Sequence, residues 1–141
     1  PLSDKSSYSN FNMSDITVGG ALSSFSSLTG YDGKNIKKNF YYKTLGLTID
    51  DIKVKYNLEY PDYLKIDVDG IDHLVLKGGL ETLNRCKSIL IEINLKFQSQ
   101  YSLIKKILKK KKFVLNNETR LVNDKSSKFY QSFNQIWIKK K

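Results

Sequence analysis

Apolar and polar residues alternate strictly through Tyr63-Leu64-Lys65-Ile66-Asp67-Val68-Asp69, with Leu64, Ile66 and Val68 on one side and Lys65, Asp67 and Asp69 on the other. That period of two predicts a strand over 63–68. Gly70 breaks it, and Ile71 to Lys77 reads as a short helix opened by an acid, where the helix dipole favours negative charge. Gly78-Gly79 interrupts the helix, and Leu80 to Arg85 resumes it. Ser88-Ile89-Leu90-Ile91-Glu92-Ile93-Asn94 is a nearly continuous apolar run of strand length, the pattern of a strand covered on both faces. From Gln98 to Lys112 the period changes to that of an amphipathic helix, with Leu103, Ile104, Ile107 and Leu108 opposite a row of lysines. Phe113-Val114-Leu115 and Asn134 to Ile138 predict two closing strands, antiparallel through a loop at 116–130. The strands at about 63–68, 88–94, 112–116 and 134–139 should share one sheet, the first two parallel and adjacent.

The pattern before residue 60 is weaker. Phe11 and Met13 alternate with polar neighbours, a faint strand signal in an otherwise irregular first 35 residues. Gly19 to Ser27 is rich in Gly and Ser and reads as a loop. Leu22, Phe25 and Leu28 give it apolar groups to bury, so an ordered loop near a site is favoured over a linker. Asn39 to Leu45 is aromatic-rich and strand-like, and Thr48-Ile49-Asp50-Asp51 has the form of a capping box opening a helix to about Tyr56. Asn57 and Pro61 mark its end.

With 141 residues, 40% of them hydrophobic, the chain makes one globular domain over 1–141. Alternating strands and helices make it α/β with a mostly parallel sheet. No run reaches the roughly 20 apolar residues of a membrane helix, and the Ser-rich start does not resemble a secretory leader. The lone cysteine, Cys86, reads as a small core residue in a reduced, cytoplasmic protein. Lys+Arg number 24 against 14 Asp+Glu, yet only Arg85 and Arg120 are arginine. Base readout favours arginine, so no nucleic-acid partner is expected, and without an apolar run of spanning length no membrane partner is expected either. A solvated helix face at Lys105 to Lys112 and a frayed tail at Lys139 to Lys141 account for the lysines, with an anionic partner as the alternative.

In parallel α/β sheets ligands sit at the carboxyl ends of the strands. Asp67, Asp69, Asp72, Glu92 and Asn94 all fall there. Such carboxylates can take a proton from a substrate hydroxyl or hold a divalent cation through hard oxygen ligands. The plainer alternative is that Asp69 and Asp72 cap the following helix while Asp67 pairs with Lys65. Crowding all four acids would cost stability unless a ligand uses them. His73, the only histidine, follows Asp72 in the helix and reads as a surface residue.

Ile66-Asp67-Val68-Asp69-Gly70 is similar to the nucleophile motif of haloacid-dehalogenase-type phosphatases, and Asp67-x-Asp69 to the metal motif of some glycosyltransferases. The chain offers no later acidic pair for the first, and three-residue matches recur by chance. A longer resemblance runs through Thr48-Ile49-Asp50, Leu64-Lys65-Ile66-Asp67-Val68-Asp69-Gly70-Ile71-Asp72, Val75-Leu76-Lys77-Gly78-Gly79 and Leu90-Ile91-Glu92-Ile93. In order and spacing this resembles FkbM-type methyltransferases dependent on S-adenosylmethionine (SAM), over about residues 45–95. Asp69 and Asp72 stand where that family has Glu, and Ser3-Asp4 is similar to its Ala-x-Ser-Asp. The resemblance implies the C-terminal half of a Rossmann-like sheet, its last strand antiparallel, and O-methylation of a sugar or other small metabolite. It implies SAM as cofactor, with a divalent metal possible. It also implies Asp67 and Asp69 in catalysis, Asp72, Glu92 and Asn94 at the acceptor, and Ser3 and Asp4 at the cofactor. The family's Asp-x-Gly-Ala-Asn-x-Gly loop has no counterpart in this chain, so the chain is expected to be inactive alone.

Overall fold

The computed structural model describes residues 1–18 and 20–140. Gly19 of the Gly/Ser stretch and Lys141 of the lysine tail lie outside the described residues. Three strands form a first, antiparallel sheet: β1 (Ser7–Met13), β2 (Ser24–Phe25) and β3 (Phe40–Gly46), in the order β2-β1-β3. A second sheet carries β4 (Tyr63–Ile66), β5 (Ser88–Asn94), β6 (Phe113–Arg120) and β7 (Ser132–Lys139), in the order β4-β5-β7-β6. The helices are α1 (Ile49–Lys55), α2 (Asp72–Lys77), α3 (Leu80–Arg85) and α4 (Gln98–Lys110).

β4 and β5 pair in parallel, Ile66 beside Ile91, whereas β7 runs antiparallel to both β5 and β6. The expectation of a mostly parallel sheet is therefore corrected to a mixed one. The reason is connectivity: β6 returns directly to β7 as a hairpin, and only a crossover can join parallel neighbours. The last strand lies antiparallel between two others, as expected.

β5 buries alternate residues rather than all of them. Ile89, Ile91 and Ile93 are at most 1% exposed, while Leu90 and Glu92 are half-buried. The buried set meets Val75 and Leu76 of α2, Leu83 of α3, and Ile104 and Leu108 of α4 in one core with Phe113, Phe133 and Trp137. The helices thus cover one face of this sheet, and the expected two-sided cover of β5 is not found. Cys86 is fully buried as expected, its thiol donating to the Ser88 carbonyl at 3.0 Å.

The first sheet joins the second through the N-terminal segment. The Ser3 N–H donates to the Leu47 carbonyl at 2.9 Å, and Leu2 bridges Leu47 in parallel. Ser3 then crosses α2 at Gly78, where a Cβ would stand 2.1 Å from the Ser3 carbonyl oxygen. Thr48 opens α1, its Oγ1 accepting from the Asp51 N–H at 2.9 Å. The return arm of the expected box is relayed: Ser6 donates its hydroxyl to Asp51 and accepts from the Thr48 N–H at 3.2 Å. Asp50 caps the neighbouring helix instead, accepting from the N–H groups of Glu81 and Thr82 and from the Thr82 hydroxyl.

Candidate acceptor site

The register Ile66 beside Ile91 puts the residues after β4 next to the last residues of β5. Asp67, Asp69, Asp72, Glu92 and Asn94 consequently line one small pocket, with Tyr31, Gly70, Ile93 and Gln100. The turn that presents the aspartates is strained. Asp69 has φ 49° and Gly70 φ 104°, and a Cβ on Gly70 would stand 2.4 Å from the Gly30 carbonyl oxygen. A non-glycine residue in the left-handed region persists only where its surroundings hold it. Asp72 supplies part of that hold. It is 4% exposed and accepts from the Gly70 N–H at 3.2 Å, the Val68 N–H at 3.4 Å and Gln100 Nε2 at 3.4 Å. The Leu22 N–H donates to Asp69 at 3.3 Å, so the Gly/Ser-rich stretch does reach the site as an ordered segment.

Burial and mutual repulsion set the protonation. Glu92 is pushed up to about 7, first by burial and then by Asp67, Asp69 and Asp72. Burial pushes Asp72 up to about 6, against the three backbone N–H groups that favour its charge. Asp69 is also raised by burial, opposed by its bond from Leu22. Asp67 is exposed and pairs with Lys65 at 3.1 Å. Tyr31, raised by burial and then by Asp32, Asp69 and Glu92, completes the wall. A carboxyl that titrates near neutrality in an acidic pocket can exchange a proton with a hydroxyl laid against it.

Asn94 is 3% exposed, with its Nδ2 on Ser132 Oγ at 2.9 Å and its Oδ1 accepting from the Lys96 N–H at 2.8 Å. Ser3 is buried and engaged with Leu47 and Asp4, and Asp4 is exposed; neither lines the acid pocket. His73 is not the surface residue expected from its neighbours. It is half-buried against Phe97, ring centroids 6.3 Å apart, and its Nδ1 has no hydrogen-bond partner among the described residues. Burial and then Lys77 hold the imidazole below its ordinary value.

Tyr31 and Gln100 are site residues that the sequence pattern did not single out. Gln100 carried a signal: it precedes Ile104 and Leu108 by one and two helical turns, a polar residue on a buried stripe. Tyr31 sits in Gly30-Tyr31-Asp32-Gly33, which by pattern is only a turn.

Among the described residues, no three His, Cys, Asp or Glu side chains group as ligands for one metal ion. Of the residues expected at the cofactor, Ser3 has its amide engaged by the Leu47 carbonyl and Asp4 is exposed. Beside the acids lies a larger cavity of about 380 Å³, walled by Phe11, Met13, Phe25, Val68 and Ile71 and reaching Asp69.

The family model for the FkbM methyltransferase domain matches residues 3–115, and the chain belongs to that family. No curated protein and no solved structure matches it.

Proposed function

We propose that this FkbM-family domain contributes the acceptor side of a SAM-dependent O-methyltransferase, and that the acceptor is a hydroxyl of a sugar or another small metabolite. The observation that carries the reading is Glu92. It is a half-buried carboxyl pushed up to about 7, at the end of a parallel strand and beside Asp67 and Asp69. In this reading the acceptor hydroxyl lies between Glu92 and the two aspartates. Glu92 takes up its proton, while Asp67 and Asp69 orient the other hydroxyls of the acceptor. Asp72, Gln100 and Asn94 hold the turn and the end of β5 that present them. The single buried thiol is consistent with a reduced, cytoplasmic setting.

SAM supplies the methyl group in this family, and the segment that holds it is proposed to add at the outer edge of β4. That edge has no strand partner among the described residues. Alongside it runs an apolar groove of about 280 Å³, walled by Leu2, Ile49, Ile52, Leu58, Leu64 and Val75. An order in which the last strand inserts antiparallel beside β5 is also what the resemblance to Rossmann-like methyltransferases implies.

The test is transfer from methyl-labelled SAM, by a form of the enzyme that includes the SAM-binding segment, into a pool of small hydroxylated metabolites. The expected product keeps its label through alkaline hydrolysis, as a methyl ether does. Label released by alkali, as from a methyl ester, would contradict the assignment of a hydroxyl acceptor.

A further inference from the structure

Lys77, Lys106, Lys110 and Lys111 ring a shallow cavity of about 320 Å³ whose floor is Leu80, Leu103 and Ile107. Leu80 is 41% and Leu103 36% exposed, so apolar surface stands open in the middle of the cationic ring. A second cavity continues it over Lys110, Lys111, Lys112 and Lys139. The ion pairs among the described residues are Lys65–Asp67 and Lys87–Asp62, which leaves this ring without a carboxylate partner. Lys111 donates to Asn84 at 2.8 Å, and Lys139 to the Leu83 carbonyl. The one acid on the adjoining turn of α3 is Glu81, engaged by Asn84 Nδ2 at 3.2 Å.

α4 runs from the acid pocket to the lysine ring. Gln100, in the first turn of α4, touches Asp72 at the acid pocket, while Lys110 and Lys111 close the helix at its other end. The 13 residues of α4 put roughly 20 Å between the two ends.

We propose that the face formed by Lys77, Lys106, Lys110 and Lys111 around Leu80 and Leu103 docks on an anionic phospholipid surface. Lysine point charges suit diffuse attraction to acidic headgroups, and exposed leucines suit shallow burial among the acyl chains. Nucleic-acid readout would call for arginine forks and stacking aromatics, which this face lacks. The proposal departs from the expectation of no membrane partner and is independent of the methyltransferase reading. No helix of the described residues is long and apolar enough to cross a membrane, and surface docking needs none.

The test is co-sedimentation of the 141-residue chain with vesicles of phosphatidylcholine alone or with about one-third phosphatidylserine, at low and high salt. Binding is expected on the mixed vesicles only and should fall with salt. Lys106→Gln, Lys110→Gln and Lys111→Gln together should weaken it about 100-fold. Leu80→Ser with Leu103→Ser should weaken it while leaving the lysines in place, and circular dichroism should show both variants folded. Equal binding to both vesicles, or no effect of the lysine changes, would overturn the proposal. So would binding to single-stranded RNA without binding to vesicles, or leucine changes without effect in folded protein.

Discussion

Glu92 and Gly70 are the residues on which the site turns, and each makes a distinct prediction. Unfolded carboxyls titrate near pH 4, whereas Glu92 is pushed up to about 7 and Asp72 to about 6. Between those values these two carboxyls hold more protons in the folded chain than in the unfolded one, so their contribution to stability falls as pH rises from about 4 to about 7. Glu92→Gln removes its part of that slope. Thermal midpoints of the variant and the parent should coincide near pH 4, with the variant higher near pH 8. A parallel slope in both would show that Glu92 is not the group responsible. Gly70→Ala forces a Cβ against the Gly30 carbonyl at φ 104° and should cost at least about 1–3 kcal/mol from strain alone, measured by urea unfolding. The site's acids were legible because they end two strands with clear patterns. Tyr31 was not, because it depends on a turn more than 30 residues away folding back over Gly70, and the bond from Gln100 to Asp72 was not, because it depends on how α4 packs beside α2.

At the scale of elements, α4 shows how far a pattern reaches. Ile104 and Leu108 are fully buried, Lys106, Lys109 and Lys110 exposed, as the period of the helix requires. Lys106→Gln with Lys110→Gln should therefore change unfolding free energy by less than about 0.5 kcal/mol, while Leu108→Ala should cost about 2–5 kcal/mol. A large loss from the lysine pair would tie those side chains to the fold and not only to a partner. β6 shows the limit. It runs from Phe113 to Arg120, well past the predicted stop at Leu115, and bulges between Leu115 and Asn117. Its continuation, Asn116-Asn117-Glu118-Thr119, is polar because it is an exposed edge, and an edge strand gains its pairing from β7 rather than from burial. β1 was faint for another reason: it is the central strand of its sheet, but Ser, Asn and Tyr make up much of it, and that sheet buries little besides Asn12, Ser24, Phe25 and Gly46.

For the whole molecule, the parallel pair β4–β5 and the hairpin β6–β7 follow from patterns that each strand carries alone, while the attachment of the first sheet does not. It hangs on Ser3 crossing Gly78 and on Leu2 beside Leu47, contacts between residues with no periodicity to announce them. The family's glycine-rich cofactor loop has no counterpart in this chain, so it should give no heat of binding with SAM in calorimetry; micromolar affinity would place a cofactor site among these residues after all. In the proposed function Glu92 accepts the proton of the hydroxyl that is methylated. The most direct test of that role is the pH dependence of methyl transfer by an enzyme form that includes the SAM-binding segment, for the parent and for Glu92→Gln. The parent should gain activity through a midpoint near pH 7, and the folded variant should lose about 100-fold or more along with that rise. A variant with the parent's rate and the parent's midpoint would contradict the account.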